Sequence, residues 1–173
     1  MGLISYVKEE MQVIMERDAA IKTPMEVFLY PSFKAIMRHR VAHWLYEHKF
    51  YFLARWYSQR TVRKTGIEIH PGATIGNYFA IDHGTGVVIG ETCIIGNHVK
   101  LYQGVTLGAK SFPVDENGNP IKGIPRHPIL EDNVIVYGNS TILGRVTIGK
   151  DAVIGANIWL MENVAPGTKV VQK

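Results

Sequence analysis

A six-residue hydrophobic repeat runs through the last two-thirds of this chain, from about residue 67 onwards. An aliphatic residue recurs at every sixth position, and a glycine or another small residue often follows it directly. A fixed short period indicates a solenoid, here a triangular parallel β-helix in which three repeats close one coil. No single coil can bury its own apolar side, so the stacking of coils is what folds such a chain. The repeating positions are Ile69, Ile75, Ile81, Ile89, Ile95, Leu101, Leu107, Leu130, Val136, Ile142, Ile148, Ile154 and Leu160.

The first third of the chain has a helical pattern instead. Apolar residues recur at helical spacing over residues 1–20, and again over residues 32–64, where two helices are expected to meet near residues 48–49. A glycine at position 66 ends this part. The sequence therefore predicts an α-helical N-terminal domain over residues 1–66 and a β-helix domain over residues 67–173.

The repeat is interrupted twice. Two extra residues lie within 82–87, and residues 108–129 lack the repeat altogether. The longer interruption is rich in proline and glycine, which predicts a long loop excursion from the solenoid. Long loops inside compact domains are usually functional or disordered. We therefore expect the functional site at these two interruptions.

Composition favours a globular cytoplasmic protein. No apolar run reaches the roughly 18 residues that a membrane-spanning helix needs, and the N-terminus lacks the pattern of a secretory signal. The single cysteine, Cys93, cannot form an internal disulfide, which fits a reducing compartment. Its place in the repeat predicts a buried thiol, and buried thiols are usually inert.

The net charge of +4 is concentrated in the helical part. Residues 1–66 carry 11 basic and 6 acidic side chains. These basic residues are scattered rather than clustered, which argues against nucleic-acid binding. The positive potential of these residues favours an anionic ligand, such as a nucleotide-bearing cofactor, over nucleic acid.

Short motifs around the interruptions are more specific than the repeat itself. They are IEIHPGATIG (67–76), IDHGTGVVIGET (81–92), QGVTLG (103–108) and RHP (126–128), with YPSF (30–33) and HRVAHWL (39–45) in the helical part. Together they resemble the motifs of the bacterial serine O-acetyltransferases, a family of hexapeptide-repeat acyltransferases. The DHGTG and RHP runs carry most of that specificity.

The resemblance implies a left-handed parallel β-helix and a homotrimer with its sites between neighbouring subunits. It also implies transfer of acetyl from acetyl-CoA to the hydroxyl of L-serine, giving O-acetylserine and CoA in cysteine biosynthesis. We expect a trimer as the minimum assembly, with a dimer of trimers left open. No metal is expected.

A serine hydroxyl needs a base to take its proton as it attacks a thioester, and histidine suits that role near neutral pH. His83 lies in the first interruption, flanked by Gly84 and Gly86, which let a substrate approach closely. Glu68 stands three residues short of one full coil before His83, so the two are expected near one corner on adjacent coils. A carboxylate there would orient the imidazole and stabilise its charged form. Many family members have aspartate at the position of Glu68.

The resemblance also assigns the groups that bind the substrates. Arg126 and His127 match the positions that hold the carboxylate of serine, which arginine can bind through two parallel hydrogen bonds. Asp82 and Asp18 match those that hold its ammonium group. The positions expected to line the slot for CoA are Gly108, Ala109, Lys110, Gly138 and Ala156, with Lys110 reaching a phosphate, and Phe112 and Pro113 are expected beside the CoA or serine channel.

Three alternatives stay open at this point. The first is an acetyltransferase of the same fold that acts on another hydroxyl, such as that of a sugar or an antibiotic. The second is a zinc enzyme of the carbonic anhydrase type, which would need His70, His83 and His127 to converge on one metal. The third is a catalytically silent scaffold.

Cysteine is expected as a feedback inhibitor because it is nearly isosteric with serine. Family members often dock a C-terminal tail into O-acetylserine sulfhydrylase. Since this sequence stops soon after its last repeat, a tail-mediated complex with that enzyme is not expected. Neither nucleic acid nor a membrane is expected as a partner.

Overall fold

The computed structural model describes residues 3–111 and 114–172. A helical part comes first, with α1 (Leu3–Arg17), a 3-10 helix (Pro24–Leu29), α2 (Pro31–Glu47) and α3 (Tyr51–Thr65). Short strands follow. They are β1 (Glu68–Ile69), β2 (Thr74–Ile75), β3 (Ala80–Ile81), β4 (Val88–Ile89), β5 (Ile94–Ile95), β6 (Lys100–Leu101), β7 (Thr106–Gly108), β8 (Ile129–Leu130), β9 (Ile135–Val136), β10 (Thr141–Leu143), β11 (Thr147–Ile148), β12 (Val153–Ile154), β13 (Trp159–Leu160) and β14 (Lys169–Val170).

Local signals in the sequence explain the helix boundaries. Pro31 occupies the first turn of α2, where its fixed φ suits a helix and its missing N–H costs nothing. Gly66 ends α3 in the left-handed conformation, with φ 70°, and its N–H bonds to the carbonyl of Val62 at 2.8 Å. The predicted junction between two helices near residues 48–49 is confirmed.

The strands form three parallel sheets. The first sheet has the order β1-β4-β7-β10-β13, the second β2-β5-β8-β11, and the third β3-β6-β9-β12-β14. Each strand pairs with the strand three places later in most of the chain, as Val88 pairs with Thr106. Three strands therefore complete one coil, as the period predicted, and the architecture is consistent with a β-helix.

The repeating aliphatic residues fill the interior of the coils. Leu101, Leu107 and Ile142 have no exposed surface, and the smaller residues two positions before such sites, such as Val105, are equally buried. The helical part shares this core, because Ile36 of α2 packs into the same hydrophobic cluster. One continuous apolar interior therefore ties the helices to the first coils.

The chain turns from one sheet to the next at three corners, two of which concern the candidate site. Residues 82–87 connect β3 of the third sheet to β4 of the first, and we call this edge and its equivalents on later coils the His83 corner. The chain passes from the first sheet to the second at the other edge, between β4 and β5 and again between β7 and β8. We call that edge the Arg126 corner.

The segment between β7 and β8 contains an antiparallel bridge between Val114 and Pro120. Asp115 closes the turn between them by accepting hydrogen bonds from the N–H groups of Asn117 and Asn119. The loop excursion expected over residues 108–129 stays a prediction. Within residues 3–111 and 114–172, no helix is long and apolar enough to cross a membrane.

Replacing Ile142 with alanine tests the stacked core. Ile142 is fully buried, so Ile142→Ala is expected to lower the free energy of unfolding by about 2–5 kcal/mol, through lost burial and the cavity left behind. Ile121→Ala is the matched control, because that isoleucine is 40% exposed. Chemical denaturation of both variants measures the difference. Equal losses would contradict the assignment of Ile142 to the interior.

A buried histidine makes stability depend on pH. Burial, together with the charges of His43 and Arg40, lowers the pKa of His39 to about 3. Between about pH 6.5 and about pH 3, His39 is therefore protonated in the unfolded chain but neutral in the folded chain. In that window this histidine lowers the free energy of unfolding by about 1.4 kcal/mol for each unit by which the pH falls. This is the contribution of His39, to which His70 and His127 add because their pKa values are lowered as well. The free energy of unfolding, measured by chemical denaturation between pH 6.5 and 5, should therefore fall with pH, and the slope should become less steep in His39→Gln. An unchanged slope in His39→Gln, or an equal flattening in a variant of the exposed His48, would contradict it.

Candidate active site

The first interruption of the repeat presents a histidine to solvent. His83 directly follows Asp82 after β3, and its backbone is left-handed, with φ 60°, a conformation that few residues other than glycine adopt. Its side chain is 78% exposed. Gly84 follows with φ 89°, and a Cβ there would lie 2.6 Å from Ile67. This tight turn therefore aims the imidazole away from the coil.

His83 borders a cleft of about 600 Å³ between the helical part and the first coil. Two of its walls carry carboxylates, since Asp18 follows α1 and Asp82 follows β3. The structure thus brings together three of the residues that the sequence predicted for catalysis and substrate binding. The remaining lining residues are Glu10, Val13, Ile14, Ala20, Tyr30, Pro31, Ser32, Ala80, Ile81, Thr85 and Lys100.

Asp18 is held in place by neutral donors. The hydroxyl of Tyr30 donates to its Oδ2 at 2.6 Å, and the N–H of Ala20 donates to Oδ1 at 2.8 Å. These hydrogen bonds, that of Tyr30 first, hold the pKa of Asp18 below its usual value, and the same bond raises the pKa of Tyr30 to about 12. The carboxylate is therefore ionised at neutral pH without a cation bonded to it in these contacts.

Asp82 has a different environment. The ammonium group of Lys100 donates to its Oδ2 at 2.8 Å, while its Oδ1 lies 3.9 Å from Nε2 of His83. One carboxylate thus lies between a lysine and the candidate base.

A second polar cluster lies at the Arg126 corner. Arg126 donates to Oε2 of Glu91 at 2.6 Å, and the hydroxyl of Tyr46 donates to the other oxygen at 3.0 Å. Burial opposes ionisation of Glu91, but the hydrogen bonds from Arg126 and Tyr46 outweigh it and lower the pKa of this carboxyl. Glu91 therefore fixes the guanidinium group by a charge-assisted hydrogen bond.

His127 is oriented by its neighbours. The backbone N–H of Thr92 donates to its Nδ1 at 3.1 Å, so the proton of the neutral ring sits on Nε2. Burial, followed by the charge of Arg126, lowers the pKa of His127, which favours that neutral form. A Cβ at Gly90 would lie 2.0 Å from the ring, so only glycine leaves room for it. His127 can therefore offer one Nε2–H donor to a ligand.

The two clusters lie at different corners of one chain. Asp82 and His83 follow a strand of the third sheet, whereas Glu91 and the Arg126–His127 pair lie between strands of the first and second sheets. The structure therefore brings Asp18, Asp82 and His83 together and leaves Arg126 and His127 apart from them.

Glu68 does not pair with His83 in this structure. Among the described residues its ion pair is with Arg55 of α3, at 3.9 Å, although its N–H bonds to the carbonyl of Val87 at the end of the His83 corner. The carboxylate found beside His83 is that of Asp82. The catalytic dyad of Glu68 and His83 stays a prediction.

The residues expected to bind CoA divide between the same two corners. The register aligns Ile81 with Leu101, Val136 and Ile154, so Gly138 and Ala156 stack above His83 on later coils. Gly108 ends β7 and begins the Arg126 corner, followed by the half-buried Ala109 and the exposed Lys110. Phe112 and Pro113 lie outside the described residues.

Several residues of the two clusters were not singled out from the sequence, among them Tyr46, which donates to Glu91. Glu91 and Thr92 lie inside a recognised motif, which could have pointed to them. Lys100 pairs in register with Ala80, two residues before Asp82, and its ammonium group contacts Asp82. The regular repeat does not give this register, because two extra residues lie between the two positions. Tyr30 lies in the YPSF motif, but nothing else in the sequence indicated that it would bond to Asp18.

The three histidines of the zinc alternative do not converge within one chain. His70 follows a strand of the first sheet and lies at the Arg126 corner with His127, whereas His83 lies at the other corner. Burial, then the charge of Arg55, lowers the pKa of His70 to about 4. In the part of the chain that the structure describes, no group of three or more histidine, cysteine or acidic side chains is placed to hold a metal ion.

Curated relatives decide the family. The chain is 53% identical over 156 residues to "Serine acetyltransferase, plasmid" from Synechococcus elongatus, an alignment that covers 90% of this chain and 49% of that protein. It is 46% identical over 165 residues to "Serine acetyltransferase" from Bacillus subtilis, with 95% of this chain and 72% of the relative covered. The chain belongs to the serine acetyltransferase family. It spans about half the length of the Synechococcus relative, and no family model matches it.

A solved serine acetyltransferase has the same architecture. Serine acetyltransferase 1 from Entamoeba histolytica, in complex with L-cysteine, superposes with a TM-score of 0.91 at 37% identity. The alignment covers 98% of this chain and 63% of that one. The sheets and helices described above are therefore those of a serine acetyltransferase.

Proposed function

We propose that this protein transfers acetyl from acetyl-CoA to the hydroxyl of L-serine, giving O-acetylserine and CoA for cysteine biosynthesis. The observation that carries the proposal is the exposed imidazole of His83 at a cleft that also holds Asp18 and Asp82, in a chain of the serine acetyltransferase family. A cleft with an imidazole base and anionic walls suits an acceptor that carries an ammonium group and a hydroxyl.

The proposed chemistry is a direct attack. Neutral His83 takes the proton of the serine hydroxyl as its oxygen attacks the thioester carbonyl of acetyl-CoA. The tetrahedral intermediate collapses, the carbon–sulfur bond breaks, and the imidazolium of His83 gives its proton to the departing thiolate. Glu68 is proposed to orient the imidazole, which requires it to leave Arg55 when the substrates are bound. His83 ends each turnover neutral, so no outside proton is needed.

The head group of serine is bound by opposite charges. Arg126 offers two parallel N–H donors to the carboxylate, and His127 adds its Nε2–H. Glu91 and Thr92 hold these two side chains in place. Asp18 and Asp82 face the ammonium group from the cleft.

The separation of the two corners supports a shared site. A homotrimer in which the His83 corner of one subunit faces the Arg126 corner of the next would complete it. Gly138 and Ala156 on one side, and Gly108, Ala109 and Lys110 on the other, would then line opposite walls of the CoA slot, with Lys110 near a phosphate. A trimer is the smallest assembly that this arrangement needs.

The finer features of the fold belong to the same proposal. The coil is left-handed, the domains meet at Gly66, and residues 108–129 form an excursion that delivers Arg126 to its corner. The change from helices to strands between Thr65 and Glu68 supports the boundary.

Cysteine is proposed as an inhibitor of the same site. Its head group would meet the same charges as that of serine, and a family structure from Entamoeba histolytica holds L-cysteine. Competition between cysteine and serine for one site is the expected kinetic pattern.

An acceptor panel tests the function. Thiol release from acetyl-CoA is followed with L-serine, L-homoserine, L-threonine, galactosides and no acceptor. Release that depends on L-serine supports the proposal. Release with a sugar alone would keep the fold and the base but contradict the roles of Arg126, His127 and Asp18. No release with any acceptor would contradict the enzymatic function itself.

A further inference from the structure

A buried carboxylate joins the two walls of the cleft, which are formed by α1 and by β3. The backbone N–H of Tyr78, two residues before β3, donates to Oε1 of Glu9 on α1 at 2.7 Å. Glu9 is only 6% exposed, although glutamate is seldom buried. A hydrogen bond from a backbone N–H to a carboxylate is among the stronger ones in proteins. This contact therefore holds α1 against the first coil.

The turn between β2 and β3 is shaped to offer this N–H. Tyr78 has a left-handed backbone, with φ 54°, which is uncommon for a residue with a large side chain. Its ring stacks on that of His98, with the two centres 4.6 Å apart and the planes 1° from parallel. The next residue, Phe79, is completely buried in the interior of the coils. The N–H that Glu9 accepts is therefore fixed to the same frame as β3.

The same turn is held from α2 by a side chain of opposite charge. Arg40 donates through Nη1 to the carbonyl of Ile75 and through Nη2 to that of Gly76, the latter at 2.5 Å. Its guanidinium group also lies 4.6 Å from the centre of the Tyr6 ring of α1, within the range of a cation–π contact. These contacts do not involve Glu9, so its replacement leaves them in place.

The apolar side of α1 packs on the other helices. Ile14 lies with Val27 of the 3-10 helix and Phe33 of α2 in a cluster that is separate from the interior of the coils. Val7 and Met11 of α1 pack against this same cluster. The hydrophobic effect therefore holds α1 on its neighbouring helices, and the contact of Glu9 adds a link to the first coil.

The position of α1 matters for the site because the helix leads directly to Asp18. The helix ends at residue 17, about 12 Å beyond Glu9 at 1.5 Å per residue. The N–H of Asp18 extends its pattern by donating to the carbonyl of Ile14 at 2.9 Å. On the opposite wall, β3 leads from the turn of Tyr78 to the His83 corner. The bond between Tyr78 and Glu9 therefore fixes where one wall lies relative to the other.

We propose that Glu9 is a positioning residue of the acceptor site. By accepting the N–H of Tyr78, it holds Asp18 at the distance from the His83 corner that suits the ammonium group and the hydroxyl of one acceptor. This rests on the proposed function and deepens it, because Glu9 is not among the described residues that line the cleft. The reach of this side chain, rather than its charge, sets the affinity for serine.

Two variants of Glu9 separate reach from charge. Glu9→Gln keeps the length and a carbonyl oxygen that accepts the N–H of Tyr78, so KM for serine should stay within about twofold of the wild-type value. Glu9→Asp keeps the charge but is shorter by one methylene, so α1 is displaced and KM for serine should rise by about fivefold or more. In both, kcat and KM for acetyl-CoA should change by less than about threefold. Glu16→Ala, at an exposed glutamate of the same helix, is the matched control and should keep all three constants.

A double-mutant cycle shows whether Glu9 acts through Asp18. Glu9→Asp should raise KM for serine much less in an Asp18→Asn background than in the wild-type background, because the ligand that it positions has already lost its charge. A residue that only supports the fold would raise KM by the same factor in both backgrounds. Thermal unfolding of each variant records any loss of stability separately.

Hydrogen exchange tests the contact itself without any need for turnover. The N–H of Tyr78 is followed by NMR in the full chain. It should exchange faster in Glu9→Asp than in the wild-type protein, and it should stay protected in Glu9→Gln and in Glu16→Ala.

The opposite pattern would overturn the proposal. A KM for serine that rises in Glu9→Gln but not in Glu9→Asp would mean that charge, not reach, is what matters. An unchanged KM in both variants, or equal factors in the two Asp18 backgrounds, would also overturn it. Failure of the proposed function is seen separately, as absent serine-dependent thiol release by the wild-type protein, while the exchange of Tyr78 still reports on the contact.

Discussion

The variant His83→Ala is expected to lose kcat by about 10²–10⁴-fold, the usual contribution of a positioned general base. Without the imidazole, the serine hydroxyl must lose its proton to water as it attacks, and the departing thiolate loses its proton donor. Because the side chain is 78% exposed, its removal should cost little stability. The loss should therefore fall on kcat in a protein that is folded and assembled as before. Steady-state kinetics with saturating serine and acetyl-CoA measures it.

His48→Ala is the matched control for this variant, since His48 is an exposed histidine at the end of α2 and away from the cleft. It should retain wild-type turnover. Thermal unfolding and elution volume verify that both variants keep their fold and assembly. Near-normal kcat in His83→Ala would show that another group accepts the proton, and the assignment of the base would be wrong.

Replacing Arg126 with methionine is expected to raise KM for serine by at least about 30-fold. Truncating one partner of a hydrogen-bonded charge pair costs about 2 kcal/mol or more, and each 1.4 kcal/mol is a factor of about ten. Two losses combine here, since the serine carboxylate loses its donors and Glu91 loses the guanidinium group bonded to it. Acetyl-CoA should keep its KM within a few-fold.

The specificity of this effect can be tested on the substrate side. L-serinamide lacks the carboxylate, so the wild-type enzyme should prefer serine to serinamide, and Arg126→Met should lose most of that preference. Arg63→Met is the matched control at an exposed arginine of α3 and should keep it. An unchanged ratio of kcat/KM for the two acceptors in Arg126→Met would mean that the carboxylate binds elsewhere.

The regular part of the fold could be predicted because its period fixes its geometry. A residue such as Leu107 can occupy the same interior position as Ile89 one coil earlier only if three six-residue repeats close a coil. The same regularity made the first interruption conspicuous, and the structure places His83 and Asp82 there. Glycines at such a turn are required by backbone conformation, as φ 89° at Gly84 shows.

The relation between the two clusters could not be predicted in the same way. Residues 108–129 have no period, so the sequence does not say which sheet the chain rejoins, and hence at which corner Arg126 lies. The register answers this, because Ile94 pairs with Ile129 in the second sheet. The ion pair of Glu68 with Arg55 depends on how α3 packs against β1, which the helical period does not determine. The contact of Lys100 with Asp82 could not be predicted either, because an outward-facing lysine on a strand is ordinarily solvated.

Co-assembly of two inactive variants tests the central claim most directly, namely that serine acetylation uses the His83 corner of one subunit and the Arg126 corner of the next. His83→Ala and Arg126→Met chains with different affinity tags are co-expressed, and trimers that carry both tags are purified. The mixed trimers should recover about a third of wild-type serine-dependent thiol release, since a cyclic trimer that contains both chains pairs two intact corners at about one site in three. Activity no higher than that of the separate variants, in trimers shown to contain both chains, would contradict a site shared between subunits.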